Sequence, residues 1–192
     1  ESAVTELLEA LGYDSTSENL RETPGRVVKA FIELTQARDF KISQFLNESS
    51  YSEPLLIKDI EFVSVCEHHL LPFSGVAHVG YVPGKHLVGL SVLPFVVEKF
   101  AHRLQLQEAL TDQIANYLEQ EIDAKGVAVM IEADHLCMQA RGVRSARAVT
   151  VTHSFRGELQ DDALFRTWFY NSVGVTDVVG VVGVVGALGV CD

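Results

Sequence analysis

Residues 55–82 read LLIKDIEFVSVCEHHLLPFSGVAHVGYV. The two flanks, Leu55 to Val65 and Phe73 to Val82, are rich in β-branched and aromatic residues with partial alternation. That pattern predicts two strands. Between them stands Cys66-Glu67-His68-His69, four groups able to bind metal or move protons, at the end of the first strand. Farther along, His135-Leu136-Cys137 closes another predicted strand, Gly126 to Ala133. A Cys-x-x-His pair alone means little, and Cys137 alone would read as a core thiol. Together, Cys66, His69 and Cys137 supply two thiolates and one imidazole. Three protein ligands with an open position is the pattern of a catalytic zinc. Zinc makes hydroxide available near neutral pH. His68 and His135 are then candidate proton donors and acceptors, because histidine titrates near neutrality.

Outward from this stretch the chain is helical on one side and mixed on the other. Val4, Leu7, Leu8 and Leu11 have helical spacing, and Gly12 ends that helix. Thr23-Pro24 opens a second helix with apolar face Val27, Val28, Ala30, Phe31 and Leu34. Residues 39–47 predict a third, short helix. After the two long strands, Pro83-Gly84 marks a turn and Leu87 to Leu90 a short strand. Residues 93–103 and 107–123 return to helical spacing. Arg147 to Phe155 alternates as a strand, and 161–171 predicts a last helix. The class is α+β.

Composition narrows the function. Apolar residues make up 47% of the 192, enough for a core, and 21% are charged, so the chain is globular. A net charge of −11 argues against a general nucleic-acid binder, yet leaves room for an anionic small substrate held by a local cation cluster. No run of about 18 uninterrupted apolar residues suggests a membrane span. Three cysteines and an acidic, helical opening at Glu1–Ala10 point to a reducing, cytoplasmic setting rather than a disulfide framework. From Val173 to Val190 the chain is nearly all valine and glycine, a poor helix and a poor strand, and it suggests a loosely ordered extension.

The motifs resemble those of the GTP cyclohydrolase I family. The resemblance is carried by Cys66 to Phe73, Gly89-Leu90-Ser91, Gln105 to Glu108, Leu110-Thr111, His135 to Met138, Arg141-Gly142-Val143 and Thr23 to Val27. It runs from about residue 2 to about residue 170. It implies a T-fold (tunnelling fold), with an antiparallel sheet, N-terminal helices over residues 1–50, two helices packed on one face of a catalytic domain at 51–172, and the tail at 173–192. It also implies a homodecamer with active sites at subunit interfaces. The implied reaction converts GTP and water to 7,8-dihydroneopterin triphosphate and formate. By motif match, Cys66, His69 and Cys137 would hold zinc, and His68 and His135 would handle protons. Gln107 and Glu108 would meet the guanine edge.

The triphosphate end departs from the family pattern. Val92 and Phe95 stand where the family usually has lysine and arginine. Arg26, Lys29, Ser91 and Arg141 remain as candidates. Arg144 and Arg147 either substitute for the missing cations or form a solvated basic strand edge. These departures also raise an alternative: a catalytically weakened paralogue acting as a partner or regulatory subunit. A third reading is a zinc hydrolase for a purine lacking the full triphosphate.

Overall fold

A computed structural model describes residues 1–174; most of the valine-glycine tail falls outside the described residues. Helix α1 (Ser2–Ala10) ends as expected at Gly12. Gly12 adopts φ 85°, its N–H donates to Glu9 O and the Tyr13 N–H donates to Leu8 O. This left-handed closure satisfies carbonyls that the helix leaves orphaned. Helix α2 (Thr23–Thr35) carries Pro24 in its first turn.

The helix expected at 39–47 does not form. The segment runs extended and ends in strand β1 (Gln44–Leu46), which pairs antiparallel with β4 (His86–Val88). The reason is packing. Phe40 and Ile42, two residues apart, both reach the core in an extended chain. Phe40 stacks on Phe95, with centroids 5.6 Å apart. Arg38 adds a two-pronged bond to Glu98. The segment is thus a strap across the helix that carries Phe95 and Glu98.

Strands β2 (Leu55–Cys66) and β3 (Pro72–Pro83) form the expected hairpin. They join β5 (Leu104–Gln105), β6 (Ala124–His135) and β7 (Thr150–Gly157) in a sheet of order β5-β2-β3-β6-β7. All pairings are antiparallel except β2 with β5. Helices α3 (Val92–Ala101) and α4 (Gln107–Glu121) cover one face. Their buried stripe, Val92, Val96, Val97, Phe100, Leu110, Ile114 and Leu118, meets Ala77, Val79, Val129 and Ile131 of the sheet. Each large side chain so buried contributes about 1.5–3 kcal/mol. Helix α6 (Ala163–Val173) covers part of the other face through Phe165, Phe169 and Tyr170. Asp162 caps it, accepting from the N–H groups of Leu164 and Phe165 at 2.9 Å.

Two edges stay open. Among the described residues, β7 has no neighbour beyond it, and β2 is flanked only at Val65 and Cys66. Val63, Val149 and Val151, at or beside these edges, are 40%, 53% and 52% exposed.

Candidate metal centre and active site

The centre grows out of two strand ends. Strand β2 delivers Cys66, and the chain then turns tightly: Leu70 N–H donates to Cys66 O and Cys66 N–H to Leu71 O, both at 2.9 Å. Leu70 takes φ 54° to close the turn. This folds His69 back, so that its Nδ1 lies 3.8 Å from Cys66 Sγ. On the neighbouring hairpin arm Phe73 pairs with His135 across β3 and β6. Strand β6 therefore ends beside the turn, and the short helix α5 (Leu136–Gln139) brings Cys137 to it. The donor atoms of Cys66, His69 and Cys137 all lie within 4.8 Å of one another.

The donor set fits zinc. A tetrahedral ion with Zn–S near 2.3 Å and Zn–N near 2.0–2.1 Å holds its donors roughly 3.5–3.8 Å apart. No fourth histidine, cysteine or carboxylate joins the group among the described residues, and an ion held by these three would have a position left for solvent. Burial pushes the Cys137 thiol up, and the adjoining Cys66 adds to this, while Arg141 opposes it. A bound divalent cation would favour the thiolate form of Cys137 and so oppose that rise.

His135 stands beside the cluster. Its ring lies on Phe73, and its Nε2 is 2.7 Å from Gln107 Oε1. Burial lowers its pKa, with the charges of Glu108 and Asp134 pulling the other way. Glu108 is exposed in the first turn of α4, close enough for its charge to reach His135. His68 is exposed, its ring perpendicular to that of His69 at 6.2 Å.

The substrate candidates divide. Arg141 follows α5 and its charge reaches Cys137. Gln107, expected at the guanine edge, points inward: it is 1% exposed, and its amide nitrogen donates to Ile131 O, Thr150 O and Thr152 Oγ1. Arg26 and Lys29 pair with Glu22 and Glu33 on the surface of α2. Ser91 precedes α3, exposed and with no capping bond. The far end of that helix is the one near the cluster, where Ala101 O accepts from Ser64 Oγ at 2.6 Å. Ten helical residues separate the two ends by about 15 Å.

The structure also accounts for the two departures. Val92 is 1% exposed in the core, and Phe95 is the partner of Phe40 in the strap. Sequence reasoning missed Phe73 and Thr152 as supports of His135 and Gln107. Phe73 sits inside a recognised motif, but its stacking partner is 62 residues away and nothing local announces it.

Fold and centre together describe an α+β protein with a cysteine-histidine group able to hold a metal ion. The family model for GTP cyclohydrolase I matches residues 1–174. The GTP cyclohydrolase 1 of Campylobacter jejuni subsp. jejuni serotype O:6 is 47% identical over 177 residues, covering 90% of this chain and 93% of its own. That of Aquifex aeolicus is 47% identical over 171 residues, 89% and 93% of the two chains. That of Sulfurihydrogenibium sp. is 46% identical over 173 residues, 90% and 92%. The chain belongs to the GTP cyclohydrolase I family, and its fold is the T-fold that the motifs implied.

Proposed function

We propose that this chain hydrolyses GTP to 7,8-dihydroneopterin triphosphate and formate, the first step toward folate or tetrahydrobiopterin. The observation that carries the reading is the convergence of Cys66, His69 and Cys137 with His135 and Glu108 alongside. Zinc held by the first three would supply an activated water and polarisation. Glu108 accepts hydrogen bonds from the guanine N1–H and exocyclic amino group. His135 or His68 delivers a proton to purine N7 as water adds at C8. The imidazole ring opens to a formamide, a second hydrolysis releases formate, and the ribose rearranges to close the pterin ring with loss of one water.

Arg141, Arg144 and Arg147 are the cations proposed for the triphosphate. All three are exposed on the loop after α5, and none forms an ion pair among the described residues. The loop is tied back to the centre, since Ser145 N–H donates to Met138 O at 2.9 Å.

The homodecamer with shared sites that the resemblance implies is part of the proposal, and the separation of Ser91 from the cluster supports it. Ser91 and the metal cluster lie a helix length apart within one chain, so Ser91 would reach a substrate at the cluster of a neighbouring copy. The open edges of β2 and β7 suit strand pairing between copies. We place the enzyme in the cytoplasm, where its thiols stay reduced. The test is direct: zinc-loaded protein given GTP should release formate and a product that fluoresces after oxidation. Neither product at millimolar GTP would overturn the reading.

A further inference from the structure

Gln107 is buried, and both ends of its side-chain amide meet polar groups inside the protein. Its amide end lies against two backbone carbonyls, Ile131 O at 3.1 Å and Thr150 O at 2.9 Å, and against Thr152 Oγ1 at 3.1 Å. Carbonyl oxygens only accept, so the nitrogen of the amide must face them. Turning the amide over would set oxygen against two oxygens in a buried site, at the cost of its hydrogen bonds. The oxygen Oε1 is therefore left facing His135 Nε2 at 2.7 Å, and it can only accept.

The hydroxyls close the arrangement. Thr111 Oγ1 donates to Gln107 O at 2.8 Å and lies 2.6 Å from Thr152 Oγ1. With the Thr111 hydrogen so used, Thr152 donates to Thr111 and accepts from Gln107. The orientation of the amide is thus set from three sides, by β6, by β7 and, through Thr111, by α4. The imidazole plane is set separately, by the face of Phe73.

We infer that Gln107 is a positioning residue that holds His135 as the tautomer with hydrogen on Nε2, so that Nδ1 is the nitrogen that exchanges a proton with the substrate. This rests on the role proposed for His135 above. The imidazolium carries hydrogen on both nitrogens. Passing the Nδ1 proton to purine N7 leaves the lone pair on Nδ1 and keeps the Nε2–H that Oε1 binds. The same contact takes the Gln107 side chain away from the guanine edge and leaves Glu108 as the side chain proposed there. Supports of this kind commonly change activity about 10- to 100-fold when removed.

The test has two arms. Long-range nitrogen-proton correlation on uniformly 15N-labelled, zinc-loaded protein, with the His135 signals assigned by comparison with His135→Gln, should show hydrogen on Nε2 and a bare Nδ1. Hydrogen on Nδ1 with a bare Nε2 would overturn the inference. This arm needs no turnover, so it stands even if the proposed reaction fails. The second arm is Gln107→Leu, checked for zinc content and thermal unfolding. With GTP, kcat should fall about 10- to 100-fold while KM moves less than about threefold. A raised KM with unchanged kcat would mean that Gln107 binds substrate, and would equally overturn it. Should the variant not fold, the tautomer measured in the wild-type chain decides alone.

Discussion

The ring of Phe73 lies flat against the imidazole of His135, with centroids 4.6 Å apart and planes within 5°. The two residues face each other across β3 and β6, so the sheet register itself aims the imidazole. Stacked pairs of this kind are worth about 0.5–1.5 kcal/mol beyond their burial. Phe73→Leu keeps most of the apolar volume and loses the flat support. It should fold and lower kcat roughly two- to tenfold. Steady-state kinetics beside a melting curve tests this; unchanged kcat in a folded variant would count against the stacking role.

Restoring a lysine at position 92 should not improve the enzyme. Val92 is sealed in the core against α4 and the sheet. Val92→Lys would place an unpaired charge there, which costs about 3–5 kcal/mol. The denaturant midpoint should drop sharply, with no gain in affinity for GTP. A stable, tighter-binding variant would show that the side chain has another way out.

Much of this was legible in the sequence, and what was not has a common cause. The strands β2 and β3 announce themselves through β-branched runs, and the ligands through rare residues at strand ends. Residues 39–47 have the local pattern of a helix, yet they run extended because Phe40 and Ile42 are drawn to Phe95 and the core, more than fifty residues on. Gln107 looked like a substrate residue because its motif says so. Its inward turn is set by Ile131, Thr150 and Thr152, which no local pattern reveals.

The loop arginines carry a prediction about charge. Arg144→Ala and Arg147→Ala should each raise KM for GTP roughly ten- to a hundredfold, the effect expected from losing a charge-assisted bond. Binding of guanosine, which lacks the phosphates, should not change. Raised salt should narrow the gap between variant and parent. Equal KM values for GTP in all three proteins would assign these arginines to the solvent.

His78 makes stability depend on pH away from the metal. Its side chain is almost fully buried in β3, its Nδ1 accepts from Asp59 N–H, and its Nε2 is 3.9 Å from Glu132. Burial holds its pKa below the usual histidine value; Asp59 and Glu132 oppose the shift, and Lys58 adds to it. The unfolded chain therefore takes up this proton first. Stability from this group is complete above about pH 6.5 and is lost as pH falls from there through the lowered folded value, by at most about 1.4 kcal/mol per pH unit. Denaturant unfolding at several pH values should show the slope, and His78→Gln should flatten it. The same slope in the variant would place its origin elsewhere.

Stripping the metal should silence the enzyme before it unfolds the chain. The α3 and α4 faces bury their core independently of Cys66, His69 and Cys137. A chelator should abolish formate release, readdition of zinc should restore it, and Cys137→Ser should weaken retention of the ion. Full turnover by metal-free protein would remove the centre from the chemistry.

The helix-length gap between Ser91 and the metal cluster has a consequence for how the protein behaves in a living cell. If sites are shared between copies as proposed, a solitary copy would own half of two different catalytic chambers and a whole one of neither. Output per copy would then climb with expression level, and a defective allele would poison chambers it shares with healthy neighbours.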